Sequence, residues 1–226
     1  AIELIREHFI GDYQWKPPQE EVLPYMWEKR GNCIVSMPTG EGKSVCFQVP
    51  AMAREGICLV VSPLIALMKD QVQNLGSKGI KALAVYSGMT YSQIDAALDN
   101  AIYGDYKFLY VSPERLHTGI FRERVKKMDI NFLVVDEAHC ISQWGYDFRP
   151  AYLEISKIKE LINDVPVIAL TATATKSVAE DIMRILNFSE PNVISSGFER
   201  KNLSYVVRNV DDKFGNMLKI CNGVPG

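Results

Sequence analysis

The chain has 226 residues, of which 47% are hydrophobic and 23% charged, a balance typical of a folded domain rather than a disordered chain. No apolar run approaches the roughly 18 residues needed to cross a bilayer, and no secretory signal is predicted. Five widely spaced cysteines without a C-x-x-C pair argue against a disulfide framework and a zinc site, and favour an intracellular, reducing compartment. The net charge of −2 lacks the basic excess that nucleic-acid-binding domains usually show.

Short apolar runs alternate with longer helical patterns along most of the chain. The predicted strands are Cys33–Met37, Ile57–Ser62, Ala82–Ser87, Phe108–Ser112, Phe132–Asp136, Val167–Leu170 and Val193–Ser195. The predicted helices between them are Ser44–Arg54, Ile65–Lys78, Tyr91–Tyr103, Pro150–Ile162 and Thr175–Leu186. Because the strands are apolar on both faces, the pattern predicts an α/β fold with a doubly wound, mainly parallel sheet of about seven strands and helices on both faces. Ligands of such sheets bind at the carboxyl ends of the strands.

The pattern changes near the end of the chain. An extended segment is predicted over Phe198–Val210 and a short helix over Asp211–Cys221. We therefore expect a nucleotide-binding domain over residues 1–200, and a linker into a second domain over residues 201–226.

Residues Met37 to Ser44, called the phosphate loop below, follow one predicted strand and open one predicted helix. Glycines in this context let backbone N–H groups surround phosphate oxygens, while Lys43 reaches the β- and γ-phosphates and Ser44 binds Mg²⁺. The predicted nucleotide-binding residues of the loop are Thr39, Gly40, Glu41, Gly42, Lys43 and Ser44. Glu41 places an acid in a loop meant for anions and is tolerable only if its side chain points outward. The alternative is a glycine-rich turn with a chance Gly-Lys-Ser.

Two adjacent carboxylates, Asp136 and Glu137, end the apolar run Phe132–Val135. Asp136 is predicted to hold Mg²⁺ and Glu137 to orient and deprotonate an attacking water, so Lys43, Asp136 and Glu137 form the predicted catalytic set. An ordinary solvated strand end is the alternative explanation of the pair.

Several further segments resemble one family in motif order. They are Ser62–Val72 (motif Ia), Tyr110–Leu116 (motif Ib), Asp136–His139 (the DEAH box), Ala169–Ala174 (motif III) and an aromatic loop, Cys140–Pro150. From about His8 to Val207 the chain resembles the RecQ family of DNA helicases, within helicase superfamily 2. The resemblance implies a RecA-like lobe that uses ATP and Mg²⁺, acts on single-stranded and junction DNA in the 3′ to 5′ direction, and works with a second RecA-like domain. The family usually has His where Tyr146 stands.

The resemblance also implies residue roles. The aromatic loop is expected to sense single-stranded DNA through Trp144, Phe148 and Arg149, by base stacking and phosphate contact. Further DNA-backbone contacts are expected from Ser62, Lys69, Ser112 and Arg115, and coupling between ATP and DNA from Gln143, Thr171 and Thr173. Trp144 could instead anchor its loop. The basic cluster Arg122, Arg124, Lys126 and Lys127 is either a solvated helix face or a DNA contact.

The adenine site rests on Lys16 and Gln19. Gln19 resembles the glutamine that pairs with the adenine edge, and Trp15-Lys16 stands where the family usually has Phe-Arg. Lysine keeps the charge but cannot stack flat as a guanidinium does. The stacking aromatic is expected to be Tyr13 or Phe9.

Three other functions are alternatives to a DNA helicase. An RNA helicase would share the ATPase chemistry, whereas a nucleotide-gated scaffold would keep the fold without turnover. A metabolic kinase would not explain the aromatic loop. Because the family's transition-state arginine lies on the second lobe, we expect residues 1–226 to bind ATP, hydrolyse it slowly and unwind nothing alone.

Overall fold

Seven parallel strands form one sheet in the computed structural model, which describes residues 15–28, 31–144, 147–162, 165–190, 192–195, 204 and 206–223. The strands are β1 (Cys33–Ser36), β2 (Ile57–Val61), β3 (Ala82–Val85), β4 (Phe108–Val111), β5 (Ile130–Val135), β6 (Val167–Thr171) and β7 (Val193–Ser195). Their order is β3-β4-β2-β5-β6-β1-β7, and every pairing is parallel. The predicted parallel sheet of about seven strands is confirmed.

The central strands are buried on both faces. Every residue of β1, β2, β4, β5 and β6 is buried, because alternate side chains enter two separate hydrophobic clusters. On β2, for example, Leu59 and Val61 pack into one cluster, whereas Cys58 and Val60 pack into the other. This two-sided burial is why the strands read as nearly continuous apolar runs.

Helices cover both faces of the sheet. They are α1 (Pro17–Glu28), α2 (Val45–Met52), α3 (Ile65–Ser77), α4 (Tyr91–Tyr103), α5 (Gly119–Val125), α6 (Glu154–Leu161), α7 (Lys176–Ile185) and α8 (Lys213–Gly223). The predicted helices are confirmed within a few residues at their ends, whereas α1 and α5 were not among them. Helix α1 was missed because Pro17, Pro18 and Pro24 disfavour a helix. Pro17 and Pro18 lie in its first turn, where proline is tolerated, whereas Pro24 lies inside the helix.

Local capping agrees with the helix starts. Thr175 Oγ1 accepts a hydrogen bond from the Val178 N–H at 3.4 Å and caps α7. Thr90 and Gln93 form a reciprocal capping box at the start of α4. These caps define where both helices begin, and their buried residues pack into the core.

The carboxyl ends of the strands meet at one edge of the sheet, called the carboxyl edge below. The phosphate loop follows β1, the acidic pair follows β5, and the motif III segment follows β6, which lies between them. The motif Ia and Ib segments follow β2 and β4 on the other side of β5. Because all the strands are parallel, segments far apart in sequence are gathered along this edge.

Helix α8 buries none of its residues against the rest of the described chain. Its exposed side chains include Phe214, Met217, Leu218 and Ile220. Among the described helices, none is both long and apolar enough to cross a membrane.

Candidate active site and the adjoining aromatic loop

The phosphate loop connects β1 to α2 through a backbone that favours glycine. Gly40 and Gly42 have φ values of 82° and 81°, in the left-handed region that other residues rarely adopt. Within the described part of the chain, the N–H groups of Gly40, Gly42, Lys43 and Ser44 donate to no other group. Four backbone donors are thus available at the start of a helix, which is the arrangement that binds phosphate oxygens.

Lys43 extends from this loop into a nearly buried position. Its side chain is 12% exposed, and among the described residues its ammonium makes no hydrogen bond. The nearest charged atom is Glu137 Oε1, at 3.7 Å from Lys43 Nζ. A buried cation without a hydrogen-bond acceptor is costly, so this position fits an anionic ligand that would supply acceptor oxygens.

Asp136 lies at the end of β5 and is held by two hydrogen bonds. Ser62 Oγ donates to Asp136 Oδ2 at 3.1 Å, and the Glu137 N–H donates to Asp136 Oδ1 at 3.0 Å. Burial raises the pKa of the Asp136 carboxyl above its ordinary value, and the neighbouring Glu137 carboxylate raises it further. The Tyr152 hydroxyl donates to the backbone carbonyl of Asp136 at 2.8 Å and supports the turn from the other side.

Glu137 adopts a left-handed backbone conformation, with φ 47° and ψ 47°. Such a conformation is uncommon outside glycine, and it allows the chain to turn sharply directly after the strand. The Glu137 carboxylate then lies between Lys43 and His139, whose Nδ1 is 3.3 Å from Glu137 Oε2. The structure therefore brings the three predicted catalytic residues together at the carboxyl edge.

His139 links the acidic pair to the segment after β6. His139 Nδ1 is 3.2 Å from Thr171 Oγ1, which in turn accepts from the Thr173 N–H at 3.1 Å. Thr171 is buried, whereas Thr173 is exposed. The two predicted coupling threonines thus contact the site through His139, while the third predicted coupling residue, Gln143, is exposed.

Gln19 and Lys16 lie on the other side of the phosphate loop. The fully buried Gln19 side chain donates through Nε2 to the Gly42 carbonyl at 3.1 Å and accepts from the Lys16 N–H at 3.0 Å. Lys16 Nζ forms an ion pair with the Glu41 carboxylate, and both side chains are partly exposed. Glu41 is thus turned away from Lys43 toward a cation of its own.

The aromatic loop begins on the buried turn Ala138–Ile141 and presents Trp144 to solvent, 79% exposed. Arg149 lies at its other end, where the guanidinium donates to the Pro63 carbonyl at 3.4 Å and to Asp147 at 3.2 Å. Phe148 is half-buried. The exposed indole is not part of the core, which argues against the anchoring alternative for Trp144.

The remaining predicted DNA contacts divide into two groups. Ser62 and Ser112 are buried, so their hydroxyls are not accessible to DNA in this conformation. Lys69 and Arg115, in contrast, meet at Tyr86: Lys69 Nζ lies 4.9 Å from the ring centroid, and Arg115 Nε donates to the Tyr86 carbonyl at 3.2 Å. No sequence motif had singled out Tyr86.

The basic cluster pairs largely with acids of the same chain. Arg122 contacts Glu154 at 2.7 Å, and Arg124 contacts both Asp95 and Asp99. Lys126 contacts Glu123 at 2.8 Å. These contacts favour the interpretation of the cluster as a solvated helix face.

Several sequence predictions lie outside the described residues. They concern the stacking candidates Phe9 and Tyr13, the family departure at Tyr146, the start of the predicted extended segment at Phe198, and the boundary near residue 200.

The fold and the site together define a class of protein. A glycine-rich loop with a nearly buried lysine follows one parallel strand and faces two carboxylates that follow another, as in the phosphate-loop nucleoside triphosphatases. More specifically, the family model described as DEAD/DEAH box helicase matches residues 16–182, and the chain belongs to this family.

Individual relatives agree with this assignment. The chain is 40% identical over 220 residues to an ATP-dependent DNA helicase RecQ from Pasteurella multocida, covering 97% of this chain and 34% of that protein. It is 42% identical over 207 residues to the RecQ of Bacillus subtilis, covering 91% of this chain and 35% of that protein. The resemblance to RecQ helicases is confirmed, and the chain spans about a third of the length of these relatives.

The fold is also found in solved structures. The DUF1998 helicase MrfA bound to DNA aligns with a TM-score of 0.68 and 15% identity, covering 87% of this chain and 28% of that chain. At this identity the likeness supports the fold alone.

Proposed function

We propose that this domain is the ATP-binding motor lobe of a DNA helicase that moves 3′ to 5′ along single-stranded DNA. The observation that carries the proposal is the 3.7 Å approach of Lys43 Nζ to Glu137 Oε1, which supports one cleft in which the lysine would bind phosphate and the carboxylate would activate water. The RecQ relatives are named as ATP-dependent DNA helicases and support the choice of substrate.

The residues of the cleft divide the chemistry among them. The free N–H groups of the phosphate loop and the Lys43 ammonium bind the triphosphate, and Glu137 orients and deprotonates the attacking water. Ser44 and Asp136 would hold Mg²⁺, which neutralises phosphate charge when bound. The described residues contain no group of three or more His, Cys, Asp or Glu placed to hold a metal. Two protein ligands nevertheless fit Mg²⁺, which keeps several waters and takes phosphate oxygens.

The base would bind beside Gln19 and Lys16. Because the Gln19 amide already donates to the Gly42 carbonyl, it joins the base site to the phosphate loop. Thr39, at the exposed start of the loop, completes the nucleotide-binding set. The pairing of Lys16 with Glu41 keeps the acid of the loop away from the phosphates.

Nucleic acid would bind at two places along the carboxyl edge. Trp144, Phe148 and Arg149 provide base stacking and a phosphate contact on the aromatic loop. Lys69 and Arg115 provide cations near β3 and β4, and the segments that contain Ser62 and Ser112 contribute backbone groups rather than buried hydroxyls. Gln143, together with the Glu137–His139–Thr171–Thr173 chain of contacts, would couple the two ligands.

The domain organisation is part of the same proposal. Residues 1–200 form the nucleotide-binding domain, and residues 201–226 lead into a second RecA-like domain that supplies the remaining DNA contacts. The absence of buried residues in α8 among the described residues supports this division.

Two measurements on the 226-residue chain test the proposal. Mg-ATP binding by titration calorimetry should be measurable and should weaken sharply in Lys43→Ala. Competition between matched DNA and RNA oligomers of one sequence should favour DNA. Preference for RNA would support the RNA helicase alternative, and unchanged ATP binding in Lys43→Ala would refute the nucleotide site.

A further inference from the structure

A buried serine hydroxyl stands at the start of the aromatic loop, two residues before Trp144. Ser142 is fully buried, and its Oγ donates to Asp181 Oδ2 at 2.7 Å. The same oxygen accepts a hydrogen bond from the Trp144 N–H at 3.1 Å. A hydroxyl has one proton to donate and two lone pairs, so committing the proton to Asp181 leaves the lone pairs for the tryptophan amide.

Asp181 belongs to a different element from the loop it contacts. It lies on α7, which packs against the turn Ala138–Ile141 through the shared hydrophobic cluster. Its second carboxylate oxygen contacts Arg184 on the exposed side of the helix at 2.8 Å. Hydrogen bonds from Arg184 and from Ser142 both lower the pKa of the Asp181 carboxyl, so it is ionised at neutral pH and accepts a charge-assisted bond.

The indole depends on these bonds because burial does not hold it. With 79% of its surface exposed, Trp144 gains little from packing, and the backbone at its base sets where the ring lies. Gln143, the residue between Ser142 and Trp144, is exposed as well. Among the described residues, the Ser142 hydroxyl therefore holds the backbone at this end of the loop.

Helix α7 also begins next to the segment that contacts the nucleotide cleft. Its cap, Thr175, follows the segment Thr171–Thr173 that contacts His139 in the nucleotide cleft. The helix connects this segment to Asp181, and the intervening turn connects His139 to Ser142, whose N–H donates to the His139 carbonyl at 3.2 Å. Two routes from the cleft thus converge on one serine hydroxyl.

We propose that Asp181 is a positioning residue that sets the aromatic loop for single-stranded DNA and ties it to the motif III segment through Ser142. The inference rests on the proposed role of Trp144 in DNA binding. Asp181 itself touches neither nucleotide nor DNA in this scheme, and it acts through the Trp144 backbone.

Amide hydrogen exchange of Trp144, followed by NMR without DNA, tests the positioning directly. One such hydrogen bond contributes about 0.5–1.5 kcal/mol. The Trp144 amide of Asp181→Ala should therefore exchange about 2–13-fold faster than that of the parent chain. Ser142→Ala, which lacks both bonds, should exchange at least as fast. Arg184→Ala keeps the Asp181 acceptor and should leave the exchange rate unchanged.

Asp181→Asn distinguishes hydrogen bonding from charge. The amide oxygen of asparagine can still accept from Ser142 although the charge is lost, so this variant should retain most of the protection. If Asp181→Ala leaves the Trp144 amide as protected as in the parent chain, or if Arg184→Ala removes the protection equally, the positioning role is refuted.

Binding of a fluorescent oligo(dT) to the same variants separates this inference from the proposed function. Asp181→Ala should raise the Kd for DNA by about the same 2–13-fold factor, without altering the affinity for Mg-ATP. Should Trp144→Ala leave DNA binding intact, the proposed function of the loop fails. Should Trp144→Ala weaken binding while Asp181→Ala does not, only the positioning role fails.

Discussion

Lys43 Nζ lies 3.7 Å from Glu137 Oε1, although the strands that precede these residues, β1 and β5, are separated by β6. The lysine therefore reaches past one strand to meet the carboxylate. The segment that follows β6 lies at the same edge of the sheet, where Thr171 contacts His139. Substitution of either Lys43 or Glu137 should therefore affect one shared site.

Replacing Lys43 by alanine should weaken nucleotide binding. In the proposed site the ammonium would make a charge-assisted hydrogen bond to phosphate worth about 1.5–3 kcal/mol, so Kd for Mg-ATP should rise by roughly 10–150-fold. Titration calorimetry measures this directly. The matched control is Lys126→Ala, whose ammonium pairs with Glu123 away from the cleft and whose loss should leave Kd unchanged.

Replacing Glu137 by glutamine should leave nucleotide bound but slow its hydrolysis. The amide is nearly isosteric but cannot take the proton of the attacking water, so turnover should fall by roughly 10²–10⁴-fold. Steady-state phosphate release and ATP binding are measured on the same preparations. Measurable turnover that is equal in the parent and the variant would refute the role of Glu137, whereas ATP binding without turnover in either would favour the nucleotide-gated scaffold.

Lys16 and Glu41 should behave as a coupled pair. Lys16→Ala leaves the Glu41 carboxylate uncompensated in the phosphate loop and should weaken Mg-ATP binding. Since partly exposed ion pairs contribute about 0.2–1 kcal/mol, the effect should be about 1.5–5-fold. The double variant Lys16→Ala/Glu41→Gln should recover most of the loss. Additive effects in this double-mutant cycle would show that the two side chains act independently.

Trp144 should contribute to DNA affinity without contributing to stability. Stacking on an aromatic side chain is worth about 1–3 kcal/mol per base, so Trp144→Ala should weaken oligo(dT) binding by roughly 5–150-fold, and Trp144→Phe by less. Because the indole is 79% exposed, thermal unfolding should shift by no more than about 2 °C. A large fall in Tm would instead mean that the ring anchors its loop.

Tyr152 should stabilise the turn that carries the acidic pair. Its buried hydroxyl donates to the Asp136 carbonyl at 2.8 Å, and burial raises the pKa of this phenol, so it remains a donor. Tyr152→Phe should cost about 1–2 kcal/mol and lower Tm by roughly 2–8 °C. Tyr91→Phe, at a residue that is 72% exposed, is the matched control and should leave Tm unchanged.

The predictability of the site differed from residue to residue. The phosphate loop and the acidic pair were found because their chemistry requires fixed residue types at fixed spacing, directly after apolar strands. Asp181, Tyr152 and Tyr86 carry no such signal, because each acts through a contact with a residue distant in sequence. The burial of Ser62 and Ser112 was equally hidden, since a hydroxyl at a strand end can face either solvent or a carboxylate.

The sequence by itself determined the parallel sheet, since strands buried on both faces must be apolar throughout and must alternate with helices. It also determined which groups could bind phosphate, because glycine conformations and charge are local properties. Only the tertiary structure decided which of these groups meet. The strand order brings Lys43 to Glu137 and Asp181 to Ser142, and that order depends on long-range packing that leaves no periodic trace in either segment.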